Sequence, residues 1–298
     1  MIRAGIDIGT NTALMVIADV ASDGTIDVLH DVHTLPRLGE GLMVSGAISE
    51  SSIQRAVESM QTFASHLEAA KPQRVRIVAT SAMREALNGS DVQRLLESIV
   101  GYPIEIIDGS TEARLTFLGA VGNRPETNLV IDIGGGSTEY ALGRDGSVTF
   151  ATSIPFGAVK FTERFATIRP LPCDAIEDAR REVRSLLAAQ SELNGTINTC
   201  IGVAGTPTAL AMIDAKLHRY DAEQLDGYQL SRDRVEELAQ WLCSLTLDDL
   251  RSIPGLHERR ADIVPMGAMI LAESMAVLGC TTMNVAVRGL RFGAMLTA

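Results

Sequence analysis

Near its start the chain carries Gly5-Ile6-Asp7-Ile8-Gly9-Thr10, and in its middle it carries Val130-Ile131-Asp132-Ile133-Gly134-Gly135. Each copy is a run of β-formers with an aspartate near its end and a turn on glycine. A second strand pattern, an Asp-Gly turn (Asp23-Gly24 or Asp145-Gly146) and a third strand pattern follow. A unit that restarts midway marks an internal duplication, one copy per domain. Domains at 1–125 and 126–298 are therefore expected, the break falling at Asn123-Arg124-Pro125. The length of 298 residues agrees, because it exceeds what one hydrophobic core usually serves.

Strands alternate with helical patterns in both halves, which indicates the α/β class. Strands are read at 2–8, 14–20, 25–33, 75–79 and 104–107, then at 129–133, 140–143, 148–153, 199–204 and 283–287. Helices are read at 50–67, 90–100 and 111–121, then at 157–166, 174–190, 207–217, 232–243 and 259–279. In 50–67 the apolar residues Ile53, Val57, Met60, Ala64 and Leu67 recur at helical spacing, with Ser49 as a cap. Arg169-Pro170-Leu171-Pro172 reads as a connecting loop.

Hydrophobic residues at 46% and charged residues at 21% exclude disorder and fibrous repeats. Cys173, Cys200, Cys243 and Cys280 are far apart, with no CxxC and no histidine at metal-ligand spacing, so they read as reduced core residues of a cytoplasmic protein. Met1-Ile2-Arg3 runs directly into a strand without a secretory pattern. The apolar run 263–280 contains Pro265 and Glu273 and is short for a membrane span, so a buried helix and no membrane partner are expected. A net charge of −11 argues against broad binding of nucleic acid. A polyanionic ligand would then need local attraction from a few arginines and a metal.

A strand that ends in aspartate and turns on glycine sets a carboxylate beside exposed backbone N–H groups. Such turns bind anions, and the carboxylate can hold a hard cation, so phosphate with Mg²⁺ or Mn²⁺ is the matching ligand pair. In Gly134-Gly135-Gly136-Ser137-Thr138 the glycines allow close approach and the hydroxyls add donors; Thr10-Asn11-Thr12 offers similar donors in the first copy. A tight structural turn is the plainer reading of either motif alone, and the repetition favours phosphate. Gly205-Thr206, between a strand and a helix, could favour an anion or simply make a turn. GxxxxGK[ST], HExxH and GxSxG are all missing, which favours metal-assisted attack by water over covalent catalysis. Position alone leaves Glu112 open between a first-turn glutamate suited to the helix dipole and a functional group. Glu139, alternating with Tyr140 along its strand, is open between a site residue and a solvated one. Arg84, Arg37 and Arg259-Arg260 are open between phosphate contacts and surface charges.

Eight ordered stretches together resemble the exopolyphosphatase and guanosine pentaphosphate phosphatase family over nearly the whole chain. They are Gly5 to Thr12, Arg37 to Leu42, Ala79 to Arg84, Gly109 to Arg114, Val130 to Glu139, Val203 to Thr206, Arg260 to Ile263 and Arg288 to Arg291. The resemblance implies two ribonuclease H-like domains of the actin, sugar kinase and heat-shock ATPase superfamily, with an active site in the interdomain cleft. It implies Glu112 as general base, Asp7, Asp132 and Glu139 as Mg²⁺ ligands, and the turns at 9–12 and 134–138 as phosphate cradles. Arg84 and Arg260 would balance charge, and a homodimer is expected. The substrate would be inorganic polyphosphate, or alternatively guanosine pentaphosphate.

Thr10-Asn11-Thr12 stands where the family commonly has Ser-Asn-Ser, Thr111 where an acidic or amide residue often precedes the base, and Phe292 where a polar residue is usual. Long members continue into further helical domains, so short polyphosphate chains are expected here. A non-catalytic polyphosphate or alarmone sensor would require the glutamate to be absent, and a sugar or acid kinase would consume ATP with a phosphorylated acceptor.

Overall fold

The computed structural model describes residues 1–122 and 124–298, so Asn123 of the expected break lies outside the described residues. The chain is α/β and divides into two units, Met1–Gly119 with Arg288–Ala298, and Ala120–Val287. This corrects the expected division at 125/126 in one important respect: the last segment returns to the first unit.

In the first unit β1 (Ile2–Ile8), β2 (Ala13–Val20) and β3 (Ile26–Thr34) form an antiparallel meander, and β4 (Arg74–Ala79) and β5 (Ile104–Ile106) add in parallel. The sheet order is β3-β2-β1-β4-β5. Strand alternation divides the residues between two faces. Ala4, Ile6, Ile8, Met15 and Ile77 pack with Met60, Phe63 and Leu96 beneath the helices Glu50–Ala70 and Gly89–Val100. On the opposite face Val78 packs with Leu115, Leu290 and Ala294, and Val16 and Ala18 pack with Phe292 and Met295. That face is covered by the helices Gly109–Val121 and Leu290–Leu296.

The helix Leu290–Leu296 was not read from the sequence, and glycine makes its place. A Cβ on Gly5 would stand 2.0 Å from the Arg291 carbonyl oxygen, one on Gly119 would stand 2.1 Å from that of Gly289, and one on Gly293 would stand 1.8 Å from that of Leu115. Backbone thus meets backbone, and any side chain at these positions would force the elements apart. Arg291 fixes the docking further: its Nε and Nη2 donate to the Asp31 carboxylate at 3.0 and 2.9 Å. Burial pushes the Asp31 carboxyl up, but the His33 hydrogen bond and the Arg291 guanidinium outweigh it and hold it at about 2.

The second unit repeats the plan. Its strands are β6 (Asn128–Ile133), β7 (Thr138–Arg144), β8 (Ser147–Ile154), β9 (Thr199–Val203), β10 (Gln229–Ser231) and β11 (Thr282–Val285). The order is β10-β11-β9-β6-β7-β8. Read from β8, the series β8-β7-β6-β9-β11 retraces the first sheet, with β6-β7-β8 an antiparallel meander and β9 and β11 parallel additions. The duplicated motif therefore reflects a duplicated topology, and β10 is an antiparallel addition at one edge.

The single helix expected at 259–279 is a short turn of helix, Glu258–Arg260, followed by the helix Val264–Val277 with Pro265 in its first turn, a position where proline is tolerated. Residues 264–275 of that helix are all buried, as expected of a helix apolar on every side. Its polar members are satisfied: the Ser274 hydroxyl lies 2.7 Å from the Tyr140 hydroxyl, and Arg180 donates to Glu273 at 3.0 Å and to Glu236 at 2.6 Å. No described helix is long and apolar enough to cross a membrane.

Candidate active site

In the first unit three parallel strands end together. Ala79 is the register partner of both Ile8 and Ile106; the Thr80 N–H donates to the Ile8 carbonyl at 3.1 Å, and the Ile107 N–H to that of Ala79 at 3.0 Å. The segments 9–12, 80–84 and 107–112 therefore leave one sheet edge, the carboxyl edge at which α/β sheets bind ligands.

In the first turn the Gly9 N–H donates to the Thr12 carbonyl at 2.8 Å. Thr10 and Asn11 are buried, and the turn is held by bonds from the Gly39 N–H to the Thr10 carbonyl at 2.8 Å and from the Arg37 N–H to the Asn11 carbonyl at 3.1 Å. Arg37 holds a left-handed φ of 54°, uncommon without glycine, and its own carbonyl accepts from the Ser52 hydroxyl at 2.9 Å. The N–H groups of residues 10–12 donate to no protein acceptor among the described residues, so they are available to an anion. Asp7 is half-buried near the end of β1, on the face of Gly5.

Glu112 stands in the first turn of the helix Gly109–Val121. Asp108 caps that helix, accepting from the Thr111 N–H at 2.8 Å and the Ser110 hydroxyl at 2.8 Å; these bonds lower its pKa. The cap sets the direction in which the first turn leaves the sheet edge. Glu112 is only 7% exposed, and the Arg84 Nη1 donates to its Oε2 at 3.3 Å and to the Ile107 carbonyl at 2.6 Å. Burying a carboxylate to this degree is costly unless polar partners compensate it, as Arg84 does here. The structure thus brings Arg84 and Glu112 together, which position in the sequence did not settle.

In the second unit Asp132 and Glu139 are register partners across β6 and β7, 9% and 2% exposed. Direct cross-strand partners share a face, and two like charges there repel unless a cation or proton intervenes. The Ser153 hydroxyl donates to Glu139 at 2.6 Å. Sequence reasoning missed Ser153; its signal was the Asp145-Gly146 hairpin, which registers Ser153 against Glu139. An all-oxygen donor set of this kind suits a hard cation that retains several waters and also binds substrate phosphate. Among the described residues, no three His, Cys, Asp or Glu side chains gather into a ready cage, and Asp7 belongs to the other unit.

The 134–138 turn repeats the first: the Gly134 N–H donates to the Ser137 carbonyl at 3.0 Å, and the N–H groups of residues 135–137 donate to no protein acceptor among the described residues. The helix Ala158–Phe165 fixes it from behind, with the Ala158 and Val159 N–H groups donating to the Gly134 and Gly135 carbonyls, both at 2.9 Å. Ser137 is buried beside the turn. Thr138 is used structurally, its buried hydroxyl donating to the Phe156 carbonyl at 2.8 Å.

Gly205 opens the helix Gly205–Asp214, and a Cβ there would stand 2.3 Å from the Arg260 Nη1, so glycine lets that guanidinium lie against the helix start. Burial pushes the Arg260 pKa down, with Tyr220 opposing, and its guanidinium forms no ion pair among the described residues. Thr206 is buried against Gly267. Before the helix, Ala204 holds φ 74° and ψ −164°, a region that glycine alone adopts readily. No sequence signal marks that strain.

The sequence profile of the Ppx/GppA phosphatase family matches residues 16–298. Exopolyphosphatase 2 of Mycobacterium tuberculosis is 32% identical over 283 residues, covering 91% of this chain and 88% of that protein. A crystal structure of an exopolyphosphatase-like protein superposes with a TM-score of 0.93 at 28% identity, covering 99% of this chain and 98% of that one. The crystal structure of an exopolyphosphatase from Cytophaga hutchinsonii superposes with a TM-score of 0.90 at 26% identity, covering 100% and 97%.

Proposed function

Because this chain belongs to the Ppx/GppA phosphatase family, we propose that it hydrolyses the terminal phosphoanhydride bond of inorganic polyphosphate, releasing orthophosphate by direct attack of water. The observation that carries this reading is the buried Glu112 carboxylate beside Arg84 at the edge where three parallel strands end.

Glu112 orients a water and takes its proton as the water oxygen bonds to the terminal phosphorus and the bridging P–O bond breaks. The shortened chain departs with the bridging oxygen. Arg84 is held by the Ile107 carbonyl, so its charge is fixed near the reacting water without reorganisation. In the second unit the N–H groups of residues 135–137, with Arg260, bind phosphate oxygens, and in the first unit the N–H groups of residues 10–12 offer the same kind of donor. Asp132 and Glu139 would hold Mg²⁺, which when bound neutralises phosphate charge. The same arrangement leaves no demand for a covalent enzyme intermediate.

The test is phosphate release from tripolyphosphate, long-chain polyphosphate, guanosine pentaphosphate and ATP, each with Mg²⁺ and with chelator. Metal-dependent release with the highest kcat/KM on a polyphosphate is expected. A higher kcat/KM on guanosine pentaphosphate would replace the substrate named above, and release from none of the four would remove the hydrolase reading.

A further inference from the structure

Arg169 lies outside every motif discussed so far, yet it ties two of the anion-binding segments of the second unit together. The Arg169 Nη2 donates to the main-chain carbonyl of Asp262, two residues beyond Arg260. Its own loop continues from the helix Ala158–Phe165, whose first N–H groups hold the Gly134-Gly135 turn. Ala158 and Val159 of that helix pack on Ile263, so the two segments also share an apolar contact. The Arg260 guanidinium, at the near end of the 260–263 segment, lies against Gly205 with no ion pair of its own among the described residues.

With no ion pair, the Arg260 guanidinium is placed by its contact with Gly205 and by its backbone, whose N–H donates to the His257 carbonyl at 2.8 Å and whose carbonyl accepts from the Ile263 N–H at 3.1 Å. Arg169 adds a hold from another loop at the Asp262 carbonyl, and that hold comes from a half-buried guanidinium whose Nη1 is buried without a partner among the described residues. Burial lowers the Arg169 pKa, opposed by Cys243 and Asp262. Holding such a group inside costs stability, since a buried unsatisfied donor is unfavourable. A merely structural tie to one carbonyl could be made by a smaller neutral donor.

We infer that Arg169 is a positioning residue for substrate binding: it fixes the 260–263 segment relative to the glycine turn, so that the Arg260 charge and the N–H groups of 135–137 meet one polyphosphate together. This rests on the polyphosphate reading above. It assigns Arg169 no contact with the substrate and no part in the bond-breaking step.

The test is a double-mutant cycle on Arg169→Met and Arg260→Met, with tripolyphosphate as substrate and thermal unfolding of each variant as the fold control. Arg169→Met is expected to raise KM about 5- to 20-fold and to change kcat less than about 3-fold, a loss of binding rather than of chemistry. Arg169→Lys, which keeps a charged donor, should recover part of the loss. Because Arg169 acts through Arg260, the double variant should be no worse than Arg260→Met alone, whereas independent contacts would add. Additive losses, an unchanged KM, or a kcat effect that dominates would each overturn the inference. Absence of phosphate release by the unaltered protein would instead defeat the hydrolase reading, so the two failures are distinguishable.

Discussion

Asp31→Asn should detach the C-terminal helix from the first unit's sheet. The substitution keeps the shape and one acceptor, but it leaves the Arg291 guanidinium, 5% exposed, without its carboxylate. Removing one member of a pair buried to this degree costs about 3 kcal/mol. The pKa gives a second measure, of the Asp31 carboxylate with both its partners, the His33 hydrogen bond and the Arg291 guanidinium. Asp31 falls from 3.8 to about 2, which corresponds to about 2 kcal/mol at neutral pH. The folded value is the lower one, so this stabilisation is complete above the unfolded value of 3.8 and is lost as pH falls through about 2, with about half gone near pH 3. Urea unfolding of the parent and the variant, with hydrogen exchange at the amides of 290–296 to report on the helix, gives the difference at each pH. It should be about 2–3 kcal/mol at pH 7 and shrink by about 1 kcal/mol on going to pH 3. A deficit that is the same at both pH values, or below about 0.5 kcal/mol at pH 7, would refute the assignment of Arg291 and Asp31 as the fastening of this helix.

Glu112→Gln should lower phosphate release from tripolyphosphate by roughly 10²–10⁴-fold while calorimetric binding of the substrate changes only a few-fold; unchanged turnover would remove Glu112 as the base. Gly293→Ala places a methyl group 1.8 Å from the Leu115 carbonyl oxygen and should cost about 3 kcal/mol or more, seen as a lowered urea midpoint. Ala204→Gly should stabilise the second unit by about 1 kcal/mol, because glycine adopts φ 74° and ψ −164° without strain; a lower Tm for this variant would show that the conformation carries no strain.

The sheets were legible because strand alternation and Asp-Gly turns are local signals. Ile6 and Ile8 face one way and Asp7 the other, whatever else the chain does. The helix Leu290–Leu296 was not legible in the same way, since its place depends on contacts with Gly5, Leu115 and Asp31, far away in the chain. Gly289 and Gly293, four residues apart on either side of one helical turn, were the available sign of close helix packing. Among the candidate site residues, the Gly-rich turns could be found by pattern. Glu112 could not be separated from an ordinary first-turn glutamate, because its burial and the nearness of Arg84 are tertiary facts. Thr138 looked like a phosphate donor beside Ser137, yet strand pairing carries its hydroxyl to the Phe156 carbonyl.

The duplicated fold does not carry duplicated chemistry, and the register says where the copies part. Asp7 lies opposite Leu14 across its hairpin, whereas Asp132 lies opposite Glu139. The first sheet therefore offers one carboxylate at this position and the second offers a pair, which concentrates the capacity for a hard cation in the second unit. The strand β5 ends at Ile106, six residues before Glu112, and its counterpart β11 ends at Val285, six residues before Arg291. Where the first copy sets a buried carboxylate beside Arg84, the second sets a buried arginine against Asp31. An arginine cannot accept a proton from water at any ordinary pH, so the second copy has no base at the equivalent place, and its helix is used to complete the first unit. The proposed base at Glu112 agrees with that division: one copy keeps the buried carboxylate beside Arg84, and the other keeps the paired carboxylates and the glycine-rich turn.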